Sequence, residues 1–170
     1  MPGADLLKIT TPPPDLPEQS VVSYIVGYML QKRNVPKHCE TCSFQFQTAS
    51  LPELQRYEFL KNKAYEATGC LVYPTVELST IFDKLEVTFK SIFPHVLAVK
   101  GVMVTLNSHT EEICTNTGLA CFKCEDKFLT MARLYIKVRV HHSLEEFNKS
   151  MPQLRGKAKR NRKMMKLLHV

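Results

Sequence analysis

The chain has 170 residues, with 23 Lys plus Arg against 16 Asp plus Glu, six cysteines and no tryptophan. Pro152 to Val170 holds seven of the basic residues and no acid, so residues 1–151 carry 16 of each sign and the formal +7 belongs to the last nineteen positions. That distribution excludes a protein that coats nucleic acid with a uniformly basic folded face, and the length and the 44% apolar content suit a single domain with an ordinary core.

Residues 1–18 contain five prolines and little apolar periodicity, which predicts an extended lead-in or linker. This N-terminus has acids and prolines where a secretory signal needs a basic start and an apolar block. No window approaches the roughly 18–20 apolar residues of a membrane span. The expected setting is therefore not secreted and reducing, where cysteines serve as thiols or metal ligands.

From Gln19 the run QSVVSYIVGYMLQKR places Val22, Ile25, Val26, Met29 and Leu30 at helical spacing and closes on cations, predicting a helix over 19–33. A loop with Cys39 and Cys42 follows. Ser50-Leu-Pro-Glu53 then resembles a helix start, with a second helix expected from about 50 to Thr68 and a stop at Gly69. Tyr73-Pro74-Thr75 opens a third, in which Leu78, Ile81, Phe82, Leu85, Phe89 and Phe93 share a face and Pro94 is the expected end.

His95 to Leu106 reads as a shorter fourth helix and Asn107 to Gly118 as a polar turn. Phe122, Phe128, Met131, Leu134, Tyr135, Val138 and Leu144 then mark a long fifth helix over roughly 122–149, where β-branched alternation at Lys137 to Val140 leaves a short strand as the alternative. The expectation is an all-α fold, about five helices in an irregular bundle with a basic C-terminal tail. Its divisions are a lead-in at 1–18, a helical domain at 19–151 and the tail at 152–170.

The chemistry-bearing feature is a pair of Cys-x-x-Cys motifs, Cys39-Glu-Thr-Cys42 and Cys121-Phe-Lys-Cys124. A gap of two lets both thiolates of a pair reach one ion from a tight turn, and two pairs complete a closed tetrahedral zinc site. Because 78 residues separate the pairs, such an ion would pin remote segments together rather than build a compact finger. His38, His109 and Cys114 are alternative ligands, and the competing reading makes the cysteines small core residues. Cys70 reads as core. The acidic pairs, including Asp83 with Glu86, read as solvated helix surface or helix-end charges, and nothing nominates a catalytic set or a small-molecule substrate.

In the tail, Arg155, Lys157, Lys159, Arg160, Arg162, Lys163 and Lys166 are candidate nucleic-acid contacts with the composition of a nuclear-import signal. A membrane-surface or partner helix and a solubilising tail are the competing readings. Any DNA contact would be sequence-independent and salt-sensitive.

The run VVSYIVGYMLQKRNVPKHCETC resembles the Tyr-Ile-x-Gly-Tyr helix and following Cys-x-x-Cys found late in transposases of the P-element type. LVYPTVELSTIFDKLEVTFKSIF, RLYIKVRVHHSLEEFNKSM and KRNRKMMKLLHV resemble downstream parts of that region, so the similarity extends from about Val21 to Val170. It implies a transposon-derived, nuclear protein. The acidic, magnesium-binding residues of such transposases have no counterpart here, so no catalytic residue is carried over and no enzyme activity is expected. The second pair in that family often reads Cys-x-x-His, from which Cys121-Phe-Lys-Cys124 departs. The resulting expectation is a non-catalytic, zinc-stabilised C-terminal fragment that contacts DNA through its tail, with the remainder of a transposase or another protein as partner. The alternative is a free-standing helical protein-interaction module with core cysteines and no metal.

Overall fold

The first helix, α1 (Glu18–Arg33), is apolar around most of its circumference rather than along one stripe, which is the signature of a helix sunk in a core. Val22, Ile25, Val26, Met29 and Leu30 are all buried, and so are Ser20 and Ser23. The computed structural model describes residues 18–33, 39–48, 55–59, 72–97, 100–121 and 123–149. After α1 come a short helix, α2 (Glu40–Phe46), a two-residue strand, β1 (Gln47–Thr48), and a 3₁₀ turn (Gln55–Tyr57). A second two-residue strand, β2 (Tyr73–Pro74), leads into α3 (Val76–Val96), α4 (Val102–Thr115) and α5 (Glu125–Lys149). β1 and β2 pair antiparallel, Gln47 opposite Pro74 and Thr48 opposite Tyr73.

The described residues are thus mostly helical, with four long helices rather than five. The expected helix over 50–68 lies largely outside them, and the part within them forms the 3₁₀ turn followed by helical residues 58–59. Its Tyr57 hydroxyl is fully buried and donates to the Pro74 carbonyl at 3.0 Å, tying the turn to β2. α2 stands where a loop is expected, because seven residues are too few to show a period. The lead-in, Cys70 and the tail lie outside the described residues.

α3 follows the expected face closely. Thr75 caps it, its hydroxyl accepting from the Leu78 amide at 3.2 Å. Leu78, Ile81, Phe82, Leu85, Phe89 and Phe93 are buried. Pro94 does not end it. The amide that proline lacks would belong to the final turn, so one missing bond is tolerated, and Leu97 N–H still closes onto the Phe93 carbonyl at 3.0 Å.

α4 begins later than expected and runs through the segment read as a turn. Gly101 precedes it with φ 84, a left-handed conformation that glycine adopts without a Cβ clash. Val102, Leu106, Thr110 and Cys114 recur every four residues on the buried side, while the polar residues between them face outward. Hydroxyls of Ser108, Thr110 and Thr115 donate back to carbonyls four residues earlier, so these side chains accommodate the helix instead of breaking it.

α5 is helical through Lys137–Val140, which excludes the strand alternative, and buries Phe128, Met131, Ala132, Tyr135, Ile136, Val138, Val140 and Leu144. α3 packs against α1, α4 and α5, and α4 also packs against α5. Edge-to-face rings link the layers, with centroids 5.6 Å apart for Phe46–Phe128, 6.5 Å for Phe82–Phe128 and 5.1 Å for Phe82–Tyr135. This aromatic row runs from the end of α2 into the middle of the bundle. No helix of the described residues is long and apolar enough to cross a membrane.

Candidate metal centre

Each Cys-x-x-Cys lies where the chain turns into a helix. Cys39 is the residue before α2, its carbonyl accepting from Ser43 N–H at 2.8 Å, and Cys42 sits in the first turn. Cys124 immediately precedes α5 and its carbonyl accepts from Phe128 N–H at 2.9 Å. Cys121 closes the preceding turn, its carbonyl taking bonds from the amides of Cys124 and Glu125 at 2.8 and 3.0 Å. The start of the 25-residue α5 therefore presents the positive end of its dipole to sulfurs that must carry negative charge when they bind a metal.

The two turns meet. The Sγ atoms of Cys39, Cys42, Cys121 and Cys124 all lie within 4.8 Å of one another, and Cys39 and Cys121 are 3.7 Å apart. A tetrahedron with metal–sulfur bonds of about 2.3 Å has edges of about 3.8 Å, so the Cys39–Cys121 spacing matches such an edge and no spacing in the cluster exceeds it by more than about 1 Å. The backbone amide of Cys121 donates to the Cys42 sulfur at 3.3 Å, an outer bond of the kind that holds a thiolate ligand in place. The four-cysteine set proposed from spacing is thereby assembled from segments 79 residues apart.

Its electrostatics favour a cation. Hydrogen bonding from Cys42 draws the Cys121 thiol down to about 7. Burial, reinforced by sharing with Cys121, Cys42 and Cys39, pushes Cys124 up to about 12. Burial raises Cys42 as well. Cys121 gives up its proton readily while Cys42 and Cys124 resist, chiefly because burial disfavours their charged forms. A divalent ion at the cluster would offset that penalty and permit four thiolates together.

The alternative ligands separate cleanly. Cys114 faces the core from α4, outside the cluster, and burial holds its thiol up at about 12. His109 is on the exposed side of α4 beside Glu112. His38 and the seven tail cations lie outside the described residues. Within those residues the four cysteines are the only group of three or more His, Cys, Asp or Glu side chains gathered closely enough to hold a metal ion.

One reading is corrected. Asp83 and Glu86 are not solvated surface. Glu86 is 3% exposed and accepts from the Tyr135 hydroxyl at 2.7 Å and from Arg139 Nε and Nη2 at 2.8 and 2.7 Å. Asp83 pairs with Arg56 of the 3₁₀ turn. The acids at these positions face α5 and the turn because they share the flank of α3 next to its apolar face, and the cations that neutralise them come from 27 and 53 residues away. Arg139 also lies over the Phe89 ring, 5.7 Å from its centroid. The available signal was the four-residue spacing of Tyr135 and Arg139, which sets both on one face of α5.

Comparison with protein-family models, curated proteins and solved structures returns no match to this chain. The structure itself defines the class: a chain mostly helical over its described residues, in which four cysteines from two remote turns cluster closely enough to hold a metal ion.

Proposed function

We propose that this protein is a zinc-stabilised, non-catalytic helical scaffold, related through its sequence motifs to the C-terminal region of P-element-type transposases. It acts in the nucleus and contacts DNA without sequence preference through its basic tail. The observation that carries the proposal is the convergence of Cys39, Cys42, Cys121 and Cys124, whose sulfurs lie within 4.8 Å of one another. Zinc is the favoured ion because four thiolates in a closed tetrahedral set match its ligand preference and leave no open position for substrate.

Two further observations support a structural role. The Tyr24-Ile25-Val26-Gly27-Tyr28 stretch, which carries much of the family resemblance, lies within the buried α1, with Tyr24 and Ile25 in the core. Glu86 and Asp83 are each paired with an arginine, so both carboxylates are charge-compensated from within the fold. DNA contact is assigned to the tail because residues 1–151 are formally neutral.

Metal analysis of the purified chain under reducing conditions tests this reading. One zinc per chain is expected. Less than a tenth of a zinc, with the helical fold intact, would overturn it in favour of a protein-interaction module with core cysteines.

A further inference from the structure

The four sulfurs differ in access. Cys42 and Cys124 are 0% and 3% exposed, whereas Cys39 and Cys121 are partly open to solvent. The two accessible sulfurs belong to different Cys-x-x-Cys pairs and are separated by 3.7 Å. A disulfide needs about 2.05 Å, so side-chain rotation within the cluster has less than 2 Å to close.

We propose that the cluster is a redox-gated clamp, in which a peroxide converts Cys39 and Cys121 into a disulfide and the metal leaves. The inference rests on the metal-binding reading above and adds its regulation. The step balances as a two-electron oxidation. The zinc tetrathiolate, one hydrogen peroxide and four protons give free Zn²⁺, the Cys39–Cys121 disulfide, thiols at Cys42 and Cys124, and two waters. The thiolate of one accessible sulfur attacks a peroxide oxygen, giving a sulfenic acid and a hydroxide that is protonated to water; the second accessible sulfur then attacks the sulfenic sulfur, forming the disulfide and expelling a second hydroxide, which is protonated to the second water.

The consequence follows from which sulfurs are used. Oxidation inside either Cys-x-x-Cys would leave no bond between the two turns, with α2 held to α5 only by packing such as that of Phe46 on Phe128. A Cys39–Cys121 bond keeps them joined across the same 82-residue separation while leaving two buried thiols, too few to retain the ion. The fold survives oxidation, and zinc is released as the signal.

The test uses the full reduced chain, first assayed for bound zinc. It is then titrated with hydrogen peroxide beside a colorimetric zinc indicator, alkylated and mapped by mass spectrometry. Cleavage after Glu40 and after Lys123 separates the members of each pair, so the cross-link is assigned without ambiguity. The expected result is one zinc released per disulfide formed, a dominant Cys39–Cys121 cross-link, unchanged helical circular dichroism, and zinc rebinding after reduction. Dominant Cys39–Cys42 or Cys121–Cys124 disulfides would overturn the proposal, as would zinc that stays bound in tenfold excess peroxide. A folded chain without zinc before oxidation would overturn the metal reading itself, an outcome distinct from both.

Discussion

On the proposed zinc reading, removing the metal should cost this protein a large share of its stability, and the size of the effect follows from the connectivity of the site. The bridged residues Cys39 and Cys121 are 82 positions apart. In the chain-entropy treatment of cross-links, closing a loop of that length restricts the unfolded ensemble by about 4.5 kcal/mol at 25 °C. A metal whose ligands stay attached in the unfolded chain acts as such a cross-link, and one that dissociates on unfolding adds its own binding free energy in proportion to its concentration. For a domain of this size each kcal/mol moves the melting temperature by about 3 °C, so chelation should lower it by about 15 °C. The assay is thermal unfolding followed by circular dichroism at 222 nm, under a thiol reductant, with equimolar zinc against a membrane-impermeant chelator. Cys42→Ser and Cys124→Ser should each melt near the chelated wild type and respond little to zinc, since both sulfurs are buried and neither can be replaced by water without rearrangement. A chelator effect below about 3 °C, or an equal effect on wild type and Cys42→Ser, would refute the clamp and leave the cysteines as core residues.

The buried Glu86 network makes a second prediction: Arg139→Met strands a desolvated carboxylate and should cost about 2–3 kcal/mol in urea unfolding, the partial exposure of Arg139 holding it below the range for a fully buried pair. Glu86→Leu combined with Arg139→Met should recover most of that loss, and a double variant no more stable than the single one would show that the ion pair is not the source. His142 supplies a pH test. Burial, then the charges of His141 and Arg139, hold its imidazole below the usual 6.5, so the unfolded chain binds this proton more readily than the folded one. Its contribution is therefore present above pH 6.5 and is lost as pH falls from there toward its folded value. His142→Gln should shrink the drop in melting temperature between pH 7.5 and 5.5, and overlapping profiles would contradict the assignment. Deleting residues 155–170 should abolish most binding to duplex DNA. In the intact chain log affinity should fall against log salt with a slope of up to about −6 for seven phosphate contacts, whereas binding unchanged by the deletion would place the DNA surface on the neutral body.

The helices that were legible in the sequence are those whose burial is periodic. α3 shows six apolar residues on one face because a single flank meets α1, α4 and α5, and α5 is long enough that its period outlasts the ambiguous alternation at Lys137 to Val140. α4 was misread for the opposite reason. Its buried side is one residue per turn, two of the four being Thr110 and Cys114, so its apolar signal is diluted by a polar outer face. Pro94 was read as a stop because a proline's cost depends on its place in the helix, and in the last turn that cost is small.

The four cysteines that cluster were also legible as candidates, because Cys-x-x-Cys is a local motif that spacing alone reveals. The charge division between body and tail was likewise a property of order along the chain. What only tertiary structure decided was which local features meet: that the turns at Cys39 and Cys121 converge, that Cys114 and His109 are excluded, and that Glu86 is buried against Tyr135 and Arg139. Ligation and ion pairing act over a few ångströms, whereas the partners here are 49 to 82 residues apart, and no local pattern encodes that distance. It is set by how the apolar faces of α1, α3 and α5 stack, which is a collective outcome of packing.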